Sequence, residues 1–172
     1  MKRAQTNIVV FVFILLIVVG VIAFLLSAAR TLNPVEYLNL YAHNSLLSVL
    51  REDTGYTDSN CKLVSDVISC SFFTPTWQCD GSGPTCRSLA EEKITEAMDQ
   101  FEIIKKSYRY LFRVEPEGFV VKDAAGTPFS INIGDGTLAT EKGEKITANE
   151  RISRVSQSGQ FLLKVQLILK KK

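Results

Sequence analysis

The feature that most constrains this chain is an uninterrupted apolar segment close to its N-terminus. From Ile8 to Leu26 every residue is apolar, and Gly20 is the only one of the 19 without a hydrophobic side chain. As an α-helix rising about 1.5 Å per residue, the segment is about 28 Å long, close to the hydrocarbon thickness of a bilayer. A buried helix of a small domain would keep a polar stripe, and this segment has none. The sequence therefore predicts a single membrane-spanning helix.

A cleaved secretory signal is the main alternative, because the small residues Ser27–Ala29 follow the apolar segment. The apolar core of an ordinary signal peptide has only about 7 to 15 residues, so the observed length favours a retained anchor. Lys2 and Arg3 precede the segment, whereas only Arg30 borders its far end. By the positive-inside rule we expect the N-terminus in the cytoplasm and the rest of the chain outside the cell membrane.

The predicted anchor divides the chain into two parts. Residues 1–30 form the cytoplasmic leader and the membrane helix, and residues 31–172 form an extracytoplasmic domain large enough to bury its own core. From Arg30 onward the net charge is zero, since this part of the chain contains 18 of the 20 basic residues and all 18 acidic ones. A neutral domain lacks the positive surface that phosphate binding requires, which argues against nucleic acid as a partner. The partner that the composition predicts is the lipid bilayer.

Four cysteines define a cysteine-rich segment, residues 61–86, and they are Cys61, Cys70, Cys79 and Cys86. Structural zinc sites usually supply their ligands in C-x2-4-C pairs, none of which occurs here, so no metal is predicted. An even number of cysteines outside the cytoplasm indicates two disulfides instead. Three pairings are possible. We prefer the sequential one, Cys61–Cys70 with Cys79–Cys86, because each bond then closes a short local loop.

The segment between Cys70 and Cys79 is rich in aromatic residues for a predicted loop, with Phe72, Phe73 and Trp77 close together. The interpretation that we favour is that they cover a small core beneath the disulfides, since loop aromatics commonly form satellite clusters. The alternative is that they form a contact surface, since aromatic residues are enriched where protein partners bind.

Hydrophobic periodicity predicts helices first and strands afterwards. Apolar residues three and four apart predict helices from Pro34 to about Leu50 and from Ser88 to Tyr108, and a short apolar run predicts another from Leu63 to Ile68. Beyond Tyr108 the period changes to two, which is typical of antiparallel strands with one solvated face. The predicted strands cover residues 108–114, 119–121, 129–133, 150–156 and 161–169, with a possible bulge in the fourth. The fold class is therefore α+β, with a four- or five-stranded antiparallel sheet packed on a helix.

Catalytic motifs are missing from the sequence. It has no G-x-S-x-G, no glycine-rich phosphate loop and no H-E-x-x-H, and its single histidine is His43. Glu91 and Glu92 are adjacent and point in different directions on a helix, where their place in the first turn suits the helix dipole. We therefore predict no catalytic residue, no metal and no cofactor, and a function other than catalysis.

The residues Lys2–Gln5 stand directly before the apolar segment. Their order resembles the class III (prepilin-type) signal peptide of archaeal type IV pilin-like proteins, in which a short basic leader is followed by Gln or Glu and a long apolar helix. The resemblance implies cleavage between Ala4 and Gln5, and packing of the retained helices into a filament core. The chain departs from the family pattern at Val9, where many pilins carry Glu, and at Pro34, which interrupts the long helix.

Two classes of function follow from these observations. The resemblance implies a structural or assembly subunit of a pilin-like filament, self-associating through its membrane helix. The alternative is a membrane-tethered extracytoplasmic domain that acts as a binding module or as an accessory subunit of a membrane complex.

Overall fold

The structure is a computed structural model that describes residues 11–24, 34–122, 126–156 and 159–172. The chain divides into two compact units, Met1–Tyr37 and Leu38–Lys172. In the first unit, residues 11–24 form helix α1. Among the residues that the structure describes, no helix combines the length and the apolar character needed to cross a membrane. The first three and last two residues of the predicted span Ile8–Leu26, and the predicted cleavage site Ala4–Gln5, lie outside the described residues.

Four helices follow α1 in the described chain. They are α2 (Pro34–Arg51), α3 (Val64–Phe73), α4 (Cys86–Gln100) and α5 (Glu102–Ser107). The helix predicted from Ser88 to Tyr108 is thus two helices, because the backbone at Phe101 turns to φ −80° and ψ 80°. Phe101 packs against the core at this break. Helix α4 also starts earlier than predicted, since the Thr85 hydroxyl caps it by accepting a hydrogen bond from Ser88 N.

Helix α3 is longer than the sequence predicts and replaces part of the expected loop. At its start the Asp66 carboxylate accepts a hydrogen bond from Leu63 N, 3.1 Å away. At its end it extends through Phe72 and Phe73 rather than stopping at Ile68. The cause is packing, since Cys70 and Phe72 on the added turn are both buried.

The strands form one antiparallel sheet in the order β2-β1-β4-β3. They are β1 (Tyr108–Glu117), β2 (Ile131–Gly134), β3 (Ile146–Ser156) and β4 (Gly159–Lys171). On the central strand β1, Phe112 pairs with Ile133 of β2 on one side and with Leu167 of β4 on the other. The α+β class and the four-stranded form of the predicted sheet are confirmed.

Two strand predictions need correction. Residues 119–121 belong to no strand of the sheet, and their neighbourhood forms only the isolated bridge between Lys122 and Pro128. Pairing cannot extend through Pro128, because proline has no backbone N–H to donate. Strand β3 begins four residues earlier than predicted and has no bulge, since its register with β4 is continuous. Ile152 and Val155, three residues apart, simply lie on opposite faces of the sheet, and Val155 is 78% exposed.

The main core lies between the helices and one face of the sheet. Strand β4 supplies Leu163, Val165, Leu167 and Leu169, each at most 1% exposed. The helices supply buried side chains that include Leu46, Ile68, Leu89 and Ile94. The opposite face was predicted to be solvated, but it carries a second, smaller cluster of Leu111, Leu138 and Ile168. A 3-10 turn, Gly136–Ala139, brings Leu138 onto this face.

Charged side chains hold that turn against the sheet. Arg109 Nε donates to Asp135 Oδ2 at 2.8 Å, and its Nη2 donates to Glu141, which also accepts from Lys170. Asp135 in turn accepts from Thr137 N at 3.0 Å at the start of the turn. The hydrogen bonds from Thr137 and the charge of Arg109 lower the pKa of Asp135, and those from Lys170 and Arg109 lower the pKa of Glu141.

Replacing Arg109 with Met is therefore expected to lower the urea midpoint of unfolding at neutral pH. The pKa of each carboxylate is lower in the folded state than its ordinary value, which is 3.8 for Asp135 and 4.5 for Glu141. Each carboxylate therefore stabilises the fold at a pH above its ordinary pKa. This stabilisation is lost as the pH falls through the pKa of the folded state. The difference between parent and variant should accordingly shrink below about pH 4. The matched control is Lys106→Met, which breaks the ion pair with Glu102 at a site where the two side chains are 73% and 75% exposed and which should change little. A difference that stays constant down to about pH 2.5 would contradict the role of the two carboxylates.

Candidate functional site

The four cysteines form two disulfides within the cysteine-rich segment, and the second of them joins α3 to α4. Cys61 is bonded to Cys79 with a Cα–Cα distance of 5.9 Å, and Cys70 to Cys86 with 5.7 Å. The prediction of two disulfides is confirmed, and the preferred sequential pairing is wrong. The reason is helix α3, whose rise of about 1.5 Å per residue carries Cys70 away from Cys61 and beside the start of α4.

The two disulfides lie in contact with each other inside the protein. All four cysteines have 0% exposure. The Sγ atom of Cys61 lies 3.9 Å from the Sγ atom of Cys86, which belongs to the other bond. On the outer side of this cluster, Thr74 Oγ1 lies 3.2 Å from Cys70 Sγ.

Backbone hydrogen bonds hold the loop between α3 and α4 in a tight hairpin. Cys79 N donates to Pro84 O at 3.1 Å, and Cys86 N donates to Trp77 O at 2.9 Å. The hairpin requires glycine at position 83, because a Cβ there would lie 2.5 Å from the carbonyl oxygen of Cys79. The conformation of this loop is therefore fixed by its own backbone as well as by the disulfides.

A carboxylate in the hairpin ties it to the preceding loop. Asp80, at φ 50°, accepts hydrogen bonds from Thr57 Oγ1 at 3.1 Å and from Asp58 N at 3.0 Å. Asp58 in turn accepts from Trp77 Nε1 at 2.9 Å. Hydrogen bonds from Asn60 N and Trp77 lower the pKa of Asp58, so this carboxylate is ionised at neutral pH and positions the indole.

The three aromatic residues of the segment have different environments. Phe72 is 3% exposed and packs on Phe129 with ring centroids 4.7 Å apart, as the core interpretation expects. Phe73 is half-buried and stacks on Phe119 at 5.9 Å. Trp77 is 47% exposed. Of the three, Trp77 therefore presents the largest surface to a partner, and Phe72 belongs to the core.

An open groove of about 570 Å³ runs beside Trp77 and is lined by residues 73–78 and Gly81. Its lining is aromatic, prolyl, hydroxyl and amide, without any titratable side chain. Such a surface can bind apolar groups and hydrogen-bonding groups. Two of the three residues that the sequence analysis names as an alternative contact surface, Phe73 and Trp77, line this groove. The hydrogen bond from Trp77 to Asp58 is not predictable from local sequence, because it joins residues 19 positions apart.

Two other groups of side chains have less support as functional sites. His43 Nε2 lies 3.5 Å from Glu150 Oε1 on the surface, where the two form an ion pair when the histidine is protonated. Among the described residues, the metal-ligand atoms that cluster are the sulfurs of Cys61, Cys79 and Cys86, all engaged in disulfides. No known protein family, no curated protein and no solved structure matches this chain.

Proposed function

We propose that the protein is a single-pass, membrane-anchored, pilin-like subunit that works by association rather than by catalysis. The observation that carries this proposal is the surface of α1. From Phe11 to Phe24 its large apolar side chains are between 49% and 72% exposed. A continuous apolar surface of this kind is unstable in water and needs a cover, either lipid or the apolar helices of other subunits.

The sequence in and around α1 also supports a membrane location. The uncharged segment extends from Ile8 to Leu26, about 28 Å as a helix, which matches the apolar thickness of a bilayer. Lys2 and Arg3 before it favour a cytoplasmic N-terminus. The two buried disulfides support an oxidising compartment for the rest of the chain, because such bonds rarely persist in the cytosol.

Self-association is the pilin-like part of the proposal. The order Lys2–Gln5 before an apolar helix resembles the processing site of archaeal type IV pilin-like proteins, and cleavage there would leave Gln5 as the first residue. The same apolar helix would then pass from the bilayer into the core of a filament. No charge interrupts the helix surface, so neighbouring helices can pack on any side of it.

The test is an aspartate in the middle of α1, Ile14→Asp, with Ile14→Leu as the matched control. An ionised side chain near the bilayer centre costs about 2.5 to 3.5 kcal/mol on insertion scales, and helices packed around it would bury it without a partner. We expect the aspartate variant to lose cross-linked oligomers and filaments in membranes, while the leucine variant keeps them. Fractionation shows whether the aspartate variant still enters the membrane. Retention of normal oligomers by an inserted aspartate variant would contradict association through α1.

A second candidate function, a tethered binding module, is favoured by the groove beside Trp77. Trp77→Ala leaves α1 intact and removes the most exposed aromatic side chain of the segment. Loss of a co-purifying partner in this variant, with oligomers unchanged, would favour the binding module. N-terminal sequencing of the mature protein separates the two routes. A start at Gln5 supports the pilin-like subunit, and an intact Met1 supports a permanent tether.

A further inference from the structure

Trp77 is an exposed aromatic residue whose polar groups are all hydrogen-bonded within the protein. Its backbone N donates to Thr74 O at 2.9 Å, and its backbone carbonyl accepts from Cys86 N at 2.9 Å. Its indole Nε1 donates to Asp58 Oδ2 at 2.9 Å. The side chain is nevertheless 47% exposed. The surface that Trp77 offers to solvent is therefore mainly the carbon surface of the indole, and it is held in one orientation.

The groups that hold Trp77 are themselves fixed by further bonds. Asp58 accepts a hydrogen bond from Asn60 N at 2.8 Å, and its own backbone N donates to Asp80 Oδ1 at 3.0 Å. Cys86 is held by its buried disulfide. A binding group that is already ordered loses less conformational entropy when a ligand arrives. The indole is thus preorganised as a platform on which a flat ligand surface can stack.

The rest of the groove is uncharged and contains hydrogen-bonding groups that the protein does not use. Thr76 and Gln78 flank Trp77 in the chain and line the groove with it. Within the described part of the chain, their side chains form no hydrogen bond, so the hydroxyl and the amide can both bind a ligand. The groove has no titratable lining residue, and a charged ligand would lose hydration here without meeting an opposite charge. The lining therefore favours a neutral ligand with many hydrogen-bonding groups.

We propose that the groove beside Trp77 binds a neutral carbohydrate, with one pyranose ring stacked on the indole. This inference rests on the second candidate function, the tethered binding module. The C–H groups on the face of a pyranose ring carry a slight positive charge, which suits the negative face of an aromatic ring. The sugar hydroxyls donate and accept hydrogen bonds, as do the Gln78 amide and the Thr76 hydroxyl. The groove volume of about 570 Å³ leaves room for a short oligosaccharide.

A proline-rich peptide is the other class of ligand that docks on exposed aromatic residues. Such peptides bind in grooves that are lined by aromatic rings. The second ring of this groove, Phe73, is already engaged, since it contacts Phe119 at 5.9 Å and Phe161 at 5.4 Å between ring centroids. The guanidinium of Arg154 lies a further 5.5 Å from the Phe73 centroid. Of the two rings that line the groove, Trp77 is the more exposed, which favours the stacking of a single sugar ring.

The test uses the fluorescence of Trp77, which is the single tryptophan of the chain. The oxidised full chain is kept in a detergent without a sugar headgroup and titrated with cellotriose, chitotriose or mannotriose. Each probe is taken to about 10 mM, above the Kd of about 1 mM that a weak complex would have. We expect at least one trisaccharide to shift the emission and to protect the indole from quenching by acrylamide. Failure of all three would overturn the inference, as would protection by decaproline alone.

Three variants locate the bound sugar, with affinity measured by saturation-transfer NMR on the sugar signals. Trp77→Ala should weaken binding by about 30-fold, the loss typical of a central aromatic anchor. Gln78→Ala keeps the ring and should weaken binding by about 3- to 10-fold, as expected for one hydrogen bond. The matched control is Val155→Ala, at a 78% exposed position outside the groove, which should bind like the parent.

Unchanged affinity in Trp77→Ala would overturn the inference, because the sugar would then bind elsewhere. The carbohydrate and the binding module can also fail separately. If the parent binds no trisaccharide while Trp77→Ala loses a co-purifying protein, the binding module stands and the carbohydrate inference is wrong.

Discussion

Replacing Cys61 and Cys79 with alanine is expected to lower the free energy of unfolding of the second unit by about 3 kcal/mol. The bond closes a loop of 18 residues, and most of its effect comes from restricting the unfolded chain. Both residues are fully buried, so the variant also loses packing in the folded state. Urea unfolding of the oxidised full chain, followed by circular dichroism, measures the difference.

The control for this variant is the reduced parent, which loses both bonds and should be less stable than the Cys61/Cys79 variant. The second bond, Cys70–Cys86, closes 16 residues and remains intact in the variant. A variant within about 0.5 kcal/mol of the parent would show that the folded unit does not depend on this bond. Stoichiometric free thiols in the unreduced parent would contradict the disulfides themselves.

Replacing Phe112 with alanine should destabilise the second unit by about 3 to 5 kcal/mol. Phe112 is 0% exposed and lies on the central strand β1, between Ile133 and Leu167 of its neighbours. Removing the ring leaves a cavity that the surrounding strands cannot close, and the lost contacts add to the lost transfer free energy. The measurement is the same urea titration under oxidising conditions.

Val155→Ala is the matched control for a strand residue on the solvent side. Val155 is 78% exposed on β3, and its truncation should change stability by less than about 0.5 kcal/mol. The comparison also tests the register of the sheet. A shift by one residue would move Phe112 to the opposite face, and the two substitutions would then no longer differ strongly.

Local periodicity predicts much of the fold and little of the candidate site. The alternation along β4 and the change of period near Tyr108 each arise within a single chain segment that has one face on the core. The sequence alone therefore predicts both features. The second cluster around Leu138 joins segments far apart in the chain, and the break at Phe101 lies where this residue packs against the core. The same holds for the disulfide pairing, which a rule based on loop length assigns wrongly because it ignores the length of α3.

The environments of the single aromatic residues between Cys70 and Cys79 are likewise not predicted by the local sequence. Composition suggests that Phe72, Phe73 and Trp77 act together, but neighbouring positions point in different directions once α3 continues through Phe73. Phe72 then faces the core and Trp77 faces the groove. The hydrogen bond from Trp77 to Asp58 requires the disulfide-held hairpin, so no property of the isolated loop could predict it.

The place of the last strand in the sheet order affects biosynthesis. Strand β4 follows the other three strands in the described chain, yet it lies between β1 and β3 and pairs with β1 from Tyr108–Lys171 to Glu117–Leu162. A nascent chain can form the β1–β2 pair early, but one edge of β1 stays unpaired until the residues of β4 have been translated. Until then the buried face of β1 and the matching helix surfaces lack their main cover. The emerging chain is thus exposed to aggregation and to chaperones until β4 has been synthesised.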